Sequence, residues 1–268
     1  MANTLFFRTL LLILGAIGGY LRFIFSVCAV SFRHPPHLYL IRDQLYSIGV
    51  TSLPVVAITG FSTGMVLAAQ AVFQLGDYGL EGATGLMVAK GMVVELGPVL
   101  TAFMVTGRVG AAMCAELGTM RVSEQIDALR SMSVNPLRYL IAPRFISGIS
   151  MLPILTIFST IMGVWGGYLV AVDYYGMASN AFLDPLPTDL EMFDVLSGLF
   201  KSFVFGIIII TVSCYKGLAT SGGAAGVGRA TTNSVVICYS IILIVNFFIT
   251  VLMNHSYEFL MTNFGRWL

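Results

Sequence analysis

"ISGISMLPILTIFSTIMGVWGGYLVA", residues 146–171, runs for 26 positions without an Asp, Glu, Lys, Arg or His. As a helix at ~1.5 Å per residue it is longer than the ~30 Å hydrocarbon layer of a bilayer, and no charge interrupts it. It reads as a membrane span. Four more runs of this kind follow from the same reading, at roughly 47–71, 83–107, 193–214 and 233–253. The chain is 57% hydrophobic and only 10% charged, with a mean hydropathy of +0.89, far from the balance of a soluble domain. The expected fold is therefore an all-α polytopic membrane protein, a single domain over residues 1–268: an N-terminal region 1–43, spans one and two in 44–108, a polar loop 109–145, and spans three to five in 146–268.

The first two spans carry breakers. Pro54, Gly60 and Gly64 lie in the first, and Gly91, Gly97 and Pro98 lie in the second beside Lys90 and Glu95. Such segments can be broken or re-entrant where protein or a cavity shelters their backbone. The N-terminal stretch is apolar too, but only Thr9 to Leu21 separate Arg8 from Arg22. A helix of that length, about 20 Å, is too short to cross with both charges at the surfaces, so an interfacial helix that then re-enters is expected. A cleaved signal is disfavoured, because "FSVCAV" offers no A-x-A site.

Five spans put the termini on opposite sides. With the N-terminus inside, the cytoplasmic face holds Arg8, Arg22, Arg33, Arg42, Arg108, Arg121, Arg130, Arg138, Arg144, Lys216 and Arg229, and the other face keeps Lys90, Lys201 and Arg266. The positive-inside bias then gives a cytoplasmic N-terminus and an external C-terminus. The outer loop bearing Asp173, Asp184, Asp189, Glu191 and Asp194 is acidic.

Several chemistries are excluded or disfavoured. The near balance of 14 Lys+Arg against 13 Asp+Glu gives no pointer to nucleic acid, and none is expected as a partner. Cys28, Cys114, Cys214 and Cys238 form no C-x-x-C and read as core residues; His34, His37 and His255 have no ligand-rich neighbourhood, so no metal is expected. There is no G-x-x-x-x-G-K-[ST], and "GGAAGVG" at 222–228 lacks the strand and the ribose-binding carboxylate of a nucleotide loop. "GFSTG" at 60–64 matches the G-x-S-x-G nucleophile elbow in letters only; inside a span, small residues that let helices approach are the better account. No catalytic residue is expected.

Against this apolar background, "EQIDALRSMSVNP" at 124–136 is a polar island. Ser123 is placed to cap a short helix, with Glu124 and Asp127 in its first turn and Arg130 in its last, and Asn135-Pro136 to stop it. Ile126, Leu129 and Met132 make a narrow apolar stripe, with Gln125 beside the charges. Two or three turns are marginal alone in water, so something must pack against them. Either the helix closes the loop between spans two and three, or it docks a soluble partner.

The words around it carry a resemblance. "ELGPVLTAFMVTGRVGAAMCAELGTMRVSEQIDALRSMSVNPLRYLIAPR" (95–144), with "TGFSTGMVLAAQ" (59–70), "WGG" (165–167) and "GVGRATTNSVV" (226–236), is similar to MlaE-type permeases, the membrane subunits of ABC transporters that move phospholipids with MCE-domain proteins. The resemblance runs from about Gln44 to the end of the fifth span. It implies a bacterial inner-membrane permease acting as two copies, with two ABC ATPase subunits that bring the ATP and Mg, an MCE-domain lipid-binding protein, and a small STAS-like cytoplasmic subunit. It makes Ser123 to Met132 the coupling helix that enters a groove of the ATPase. It also implies a lipid cavity walled by Glu95, Leu67, Gln70, Leu75 and Tyr78.

Glu95 stands out by itself. Thirteen residues from Arg108 it lies about 20 Å along the helix, well inside the hydrocarbon. A charge there costs ~2.5–3.5 kcal/mol on insertion scales, so it should face the bundle interior or a wet cavity. Lys90 is no obvious partner at about 140° around the helix, and Pro98 removes the donor that would meet the Val94 carbonyl. A protonated Glu bonded to a neighbouring span and a polar group on the lipid cavity both satisfy this. A secondary transporter using Glu95 as an ion site, and more remotely a membrane lipid hydrolase, are the alternatives; the first lacks paired repeats and the second a catalytic constellation.

Overall fold

The computed structural model describes residues 2–33 and 35–264; His34 and Arg266, both read above, lie outside them. Among the described residues the chain is helical nearly throughout and has no strand. Helix α1 is Ala2–Arg33 and α2 is Leu38–Ile48, joined by a short 3-10 turn to α3, Leu53–Gly76. Then come α4 (Thr84–Val122), α5 (Gln125–Ser131) and α6 (Leu137–Tyr174). Two short helices, α7 (Ser179–Leu183) and α8 (Pro185–Asp189), lead to α9 (Met192–Leu218) and α10 (Gly223–Phe264). Five segments are long and apolar enough to cross a membrane: α2–α3, α4, α6, α9 and α10. The protein is a polytopic all-α membrane protein.

The breakers do not break the first two spans. Pro54 sits in the first turn of α3, where its missing N–H leaves no bond unmade. Gly60 and Gly64 are contact points: a Cβ on Gly64 would run into the Gly163 carbonyl, and one on Gly60 into Ser159. The "GFSTG" stretch is thus the seam between α3 and α6, where missing side chains let the two backbones touch. Helix α4 accommodates Gly97-Pro98 by widening into a π-turn at Gly91–Leu96, with a second at Thr106–Gly110.

The core lies among α4, α6 and α9, where Val105, Leu152, Leu155, Phe205 and Ile209 are fully or almost fully enclosed. Of the apolar window of α9, 56% is buried against 17% for α10, so α9 is the axis of the bundle and α10 lies at its edge. Helix α1 is one uninterrupted helix, Ala2–Arg33, with no break for the expected re-entry. It is moored to α9 instead. The Tyr20 hydroxyl lies 2.7 Å from the Thr211 hydroxyl, and Tyr20 and Phe23 pack on the ring of Tyr215 with centroids 5.6 and 5.5 Å away.

The bundle has a basic end, with Arg108, Arg121, Arg130, Arg138 and Arg144, and an acidic end formed by α7, α8 and the start of α9. At the acidic end Glu191 and Asp194 close a capping box on α9, Lys90 pairs with Asp194 at 3.3 Å, and the Tyr257 hydroxyl donates to Glu191 at 2.8 Å, tying in α10. One basic residue moves: Lys201, counted above with the outer face, is fully buried inside the bundle.

Candidate functional site

Helices α4, α9 and α10 bring four polar side chains together within their apolar spans, about a third of the way along α9 from the acidic end. Lys201 of α9 donates to the Glu95 carboxylate at 2.5 Å, to the Val94 carbonyl at 3.0 Å and to the Thr250 hydroxyl at 2.8 Å. An ammonium has three donors and no acceptor, so this enclosed group is fully satisfied. The Val94 carbonyl is the one that Pro98 deprives of its helical donor, and Lys201 meets it. Sequence and packing thus fit together: the proline opens the helix backbone, and a lysine from the central helix closes it.

Glu95 keeps its other oxygen for the Asn246 amide at 3.0 Å, while the Thr250 hydroxyl lies 2.8 Å from the shared oxygen and 2.9 Å from the Asn246 carbonyl. The side chain of Lys201 is 0% exposed and that of Glu95 is 36% exposed, so the cluster is sealed on the lysine side and open on the carboxylate side. The Asn246 side-chain oxygen is buried without a partner, leaving one acceptor to spare. The arrangement offers a polar, hydrogen-bonding patch on an apolar wall. Of the two sequence readings of Glu95, the bonding to neighbouring spans is present, with an ammonium as the chief partner.

Lys201, Asn246 and Thr250 escaped the sequence reading. The signal was there for Lys201. It stands nine residues into α9, roughly 13 Å from the helix start, too deep for a loop residue. Two intramembrane charges of opposite sign on different spans are natural partners. Asn246 and Thr250 carry no such signal, because single polar residues are common in spans.

At the basic end, α5 is a two-turn helix hung beneath α4. Ser123 does not cap it: α4 continues to Val122, and the Ser123 hydroxyl donates back to the Thr119 carbonyl at 2.8 Å. The reversal falls on Glu124, whose φ of 59° is left-handed, so its side chain makes no cap and α5 begins only at Gln125. The helix ends in a Schellman pair, Ser133 N–H to Arg130 and Val134 N–H to Leu129, both 3.0 Å, with Ser133 left-handed at φ 61°. Asn135 does not stop α5 but opens α6, its side chain accepting the Leu137 N–H at 2.9 Å.

Only part of the apolar stripe faces the protein. Ile126 is fully buried, Leu129 half-buried, and Met132 is 72% exposed. Asp127 is held between Arg121 at 2.6 Å and Arg130 at 2.8 Å, while Glu124, Gln125 and Ser131 face outward. The outcome is a small charged knob with one methionine on its tip.

A family model described as "Permease MlaE" matches residues 41–252, from α2 through most of α10. The chain belongs to the MlaE permease family. It is 46% identical over 235 residues to a probable ABC transporter permease protein of Rickettsia conorii, covering 88% of this chain and 91% of that one. It is 36% identical over 218 residues to the intermembrane phospholipid transport system permease protein MlaE of Haemophilus influenzae, covering 81% and 84%. A probable ABC transporter permease protein of Synechocystis is 41% identical over 211 residues, covering 79% and 80%.

In this MlaE-family chain the remaining wall candidates lie on or just beyond α3. Leu67 is half-buried and abuts Gly91, one turn before Glu95. Gln70 is exposed in a shallow groove with Val66, Ala69, Phe73 and Gln74. Leu75 is half-buried and Tyr78 is 79% exposed at the acidic end. Leu67 thus shares the level of the Glu95 cluster, while Gln70, Leu75 and Tyr78 climb away from it along α3.

Proposed function

We propose that this MlaE-family permease is the membrane subunit of an ABC transporter that carries phospholipid across or out of a bacterial inner membrane. Two copies form the path, with the half-open Glu95 clusters and the α3 walls, from Leu67 to Tyr78, facing a lipid cavity between them. The basic end lies in the cytoplasm and the acidic end outside, so the N-terminus is cytoplasmic and the C-terminus external. Each α5 enters a groove of one ABC ATPase, where ATP and Mg are bound. An MCE-domain lipid-binding protein takes or delivers lipid at the acidic end, and a small STAS-like subunit attaches through the ATPase.

The observation that carries this reading is the Glu95 cluster. An intramembrane carboxylate that is a third exposed, beside largely apolar helix faces, suits an amphipathic cargo with a polar head and greasy tails. The names borne by the relatives in Rickettsia, Haemophilus and Synechocystis point the same way. A cation-coupled transporter fits less well, since Lys201 already neutralises the carboxylate it would need.

Purification of the permease from its own membrane, followed by lipid transfer with and without ATP, tests the reading. Retention of an ATPase and ATP-dependent transfer are expected. A permease that never retains an ATPase, with transfer indifferent to ATP, overturns it.

A further inference from the structure

We propose that a second polar cleft, at the basic end, holds the phosphate of a phospholipid from the leaflet on that side. The cleft has a volume of about 140 Å³ and lies between α2 and α4, with Gln44 and Ser47 on one wall and Arg108, Ala112 and Glu116 on the other. It is separate from the Glu95 cluster by the 13 residues from Glu95 to Arg108, about 20 Å along α4. Lys90, paired with Asp194 at the acidic end, and Arg108 are about 27 Å apart along α4, close to the ~30 Å hydrocarbon thickness, which puts the Arg108 guanidinium at headgroup level on the basic side.

The charged side chains of the lining are Arg108 and Glu116, and Glu116 is already paired with Arg144, which lies outside the lining. Arg144, 8% exposed at its side chain, pairs with Glu116 at 2.8 Å and still has a buried Nη1 without a partner. Arg108 makes no ion pair among the described residues; its Nη1 donates to the Ser52 hydroxyl at 2.8 Å. With Glu116 held by Arg144, the Arg108 charge facing the cleft has no anion of its own. The bond to Ser52 anchors one corner of the Arg108 fork and leaves its Nε and Nη2 donors free, the edge that suits a phosphate ester. Ser52 opens α3 and is itself buried, so the anchor is part of the bundle.

The floor of the cleft argues for a lipid rather than a free phosphate. Val109 and Met113 line it and are buried, so apolar surface adjoins the cation, as at the junction of headgroup and acyl chain. The inference needs only that α4 spans the membrane; it does not depend on an ATPase or on the direction of transport.

The test uses the full chain in nanodiscs of phosphatidylethanolamine and phosphatidylglycerol, with a photoreactive amino acid at Ala112, exposed on the cleft wall. Mass spectrometry of the irradiated protein is expected to find phospholipid adducts at that position. Arg108→Gln should lower their yield about ten-fold, the worth of one charged hydrogen bond, and Arg108→Lys should keep most of it. A second probe at Ile161, exposed on α6, should label lipid equally in all three, which checks that the variants insert and fold. Equal labelling at Ala112 with and without Arg108 overturns the proposal. So does loss of the adduct on adding millimolar inorganic phosphate, which assigns the cleft to a soluble anion, or an adduct that proves to be peptide, which assigns it to a second protein chain.

Discussion

Removing Glu95 should unsettle the permease more than removing the lysine it binds, because the two sides of the pair are unequally enclosed. Lys201 is 0% exposed and Glu95 36%. Glu95→Ala strands a buried ammonium that retains only the Val94 carbonyl and the Thr250 hydroxyl, and breaking a buried pair in this way costs about 3–5 kcal/mol. Lys201→Met leaves a carboxylate that still has Asn246 and Thr250 and an open side, so roughly 1–2 kcal/mol is expected, near the cost of one unmade hydrogen bond. The double variant Glu95→Ala with Lys201→Met has no stranded charge, and its cost should fall about 2–3 kcal/mol short of the sum of the singles. For a chain of this size 1 kcal/mol moves the melting temperature by roughly 2–4 °C, so Glu95→Ala should melt on the order of 10 °C low and the double variant should recover much of that. Thermal melting of the four proteins in one detergent gives the cycle. Additive shifts, or a Glu95→Ala protein as stable as its parent, would refute the reasoning. The double variant is also the proper background for lipid transfer: if it moves lipid as well as the parent, the cluster has no role in the cavity.

Charge reversal at Glu124 and Asp127 should release the ATPase without unfolding the permease, because the ion pairs of Asp127 are exposed and such pairs are worth ~0–1 kcal/mol; retention of a coupled ATPase, seen by co-purification, contradicts the docking role of α5. Ile126→Ala should instead cost about 2–4 kcal/mol in melting experiments, since Ile126 is the buried anchor of α5. Ser123→Ala should cost less than the ~1 kcal/mol of a lost N-cap, its hydroxyl serving only the Thr119 carbonyl; a full N-cap loss in the melting curve contradicts the assignment. Gly64→Leu should prevent α3 from closing on Gly163, and a correctly inserted, normally melting variant rejects the seam.

The span count and the end-to-end charge asymmetry were legible from the chain because both depend on local composition. An uncharged run such as 146–171 has only one stable solution in lipid, whatever its neighbours do. The place of the polar island was equally legible, since α5 interrupts the apolar pattern where the basic residues gather. The conflict at Glu95, Pro98 and the Val94 carbonyl could be stated from sequence, but not its resolution. The depth of Lys201 in the fourth apolar run marked it as an intramembrane charge, but only the packing of α9 against α4 brings its ammonium to both the Glu95 carboxylate and the Val94 carbonyl. In the same way the glycines of α3 could signal either a break or a contact, and only the approach of α6 decided for contact. Ser123 shows the limit at short range: a serine before a helix is ordinarily its cap, but α4 ran on to Val122 and claimed the hydroxyl. Local composition determined which segments enter the membrane and which stay out. The tertiary structure decided which polar groups meet inside it, because in hydrocarbon a charge is stabilised by the helix packed against it, and sequence order does not reveal which helix that is.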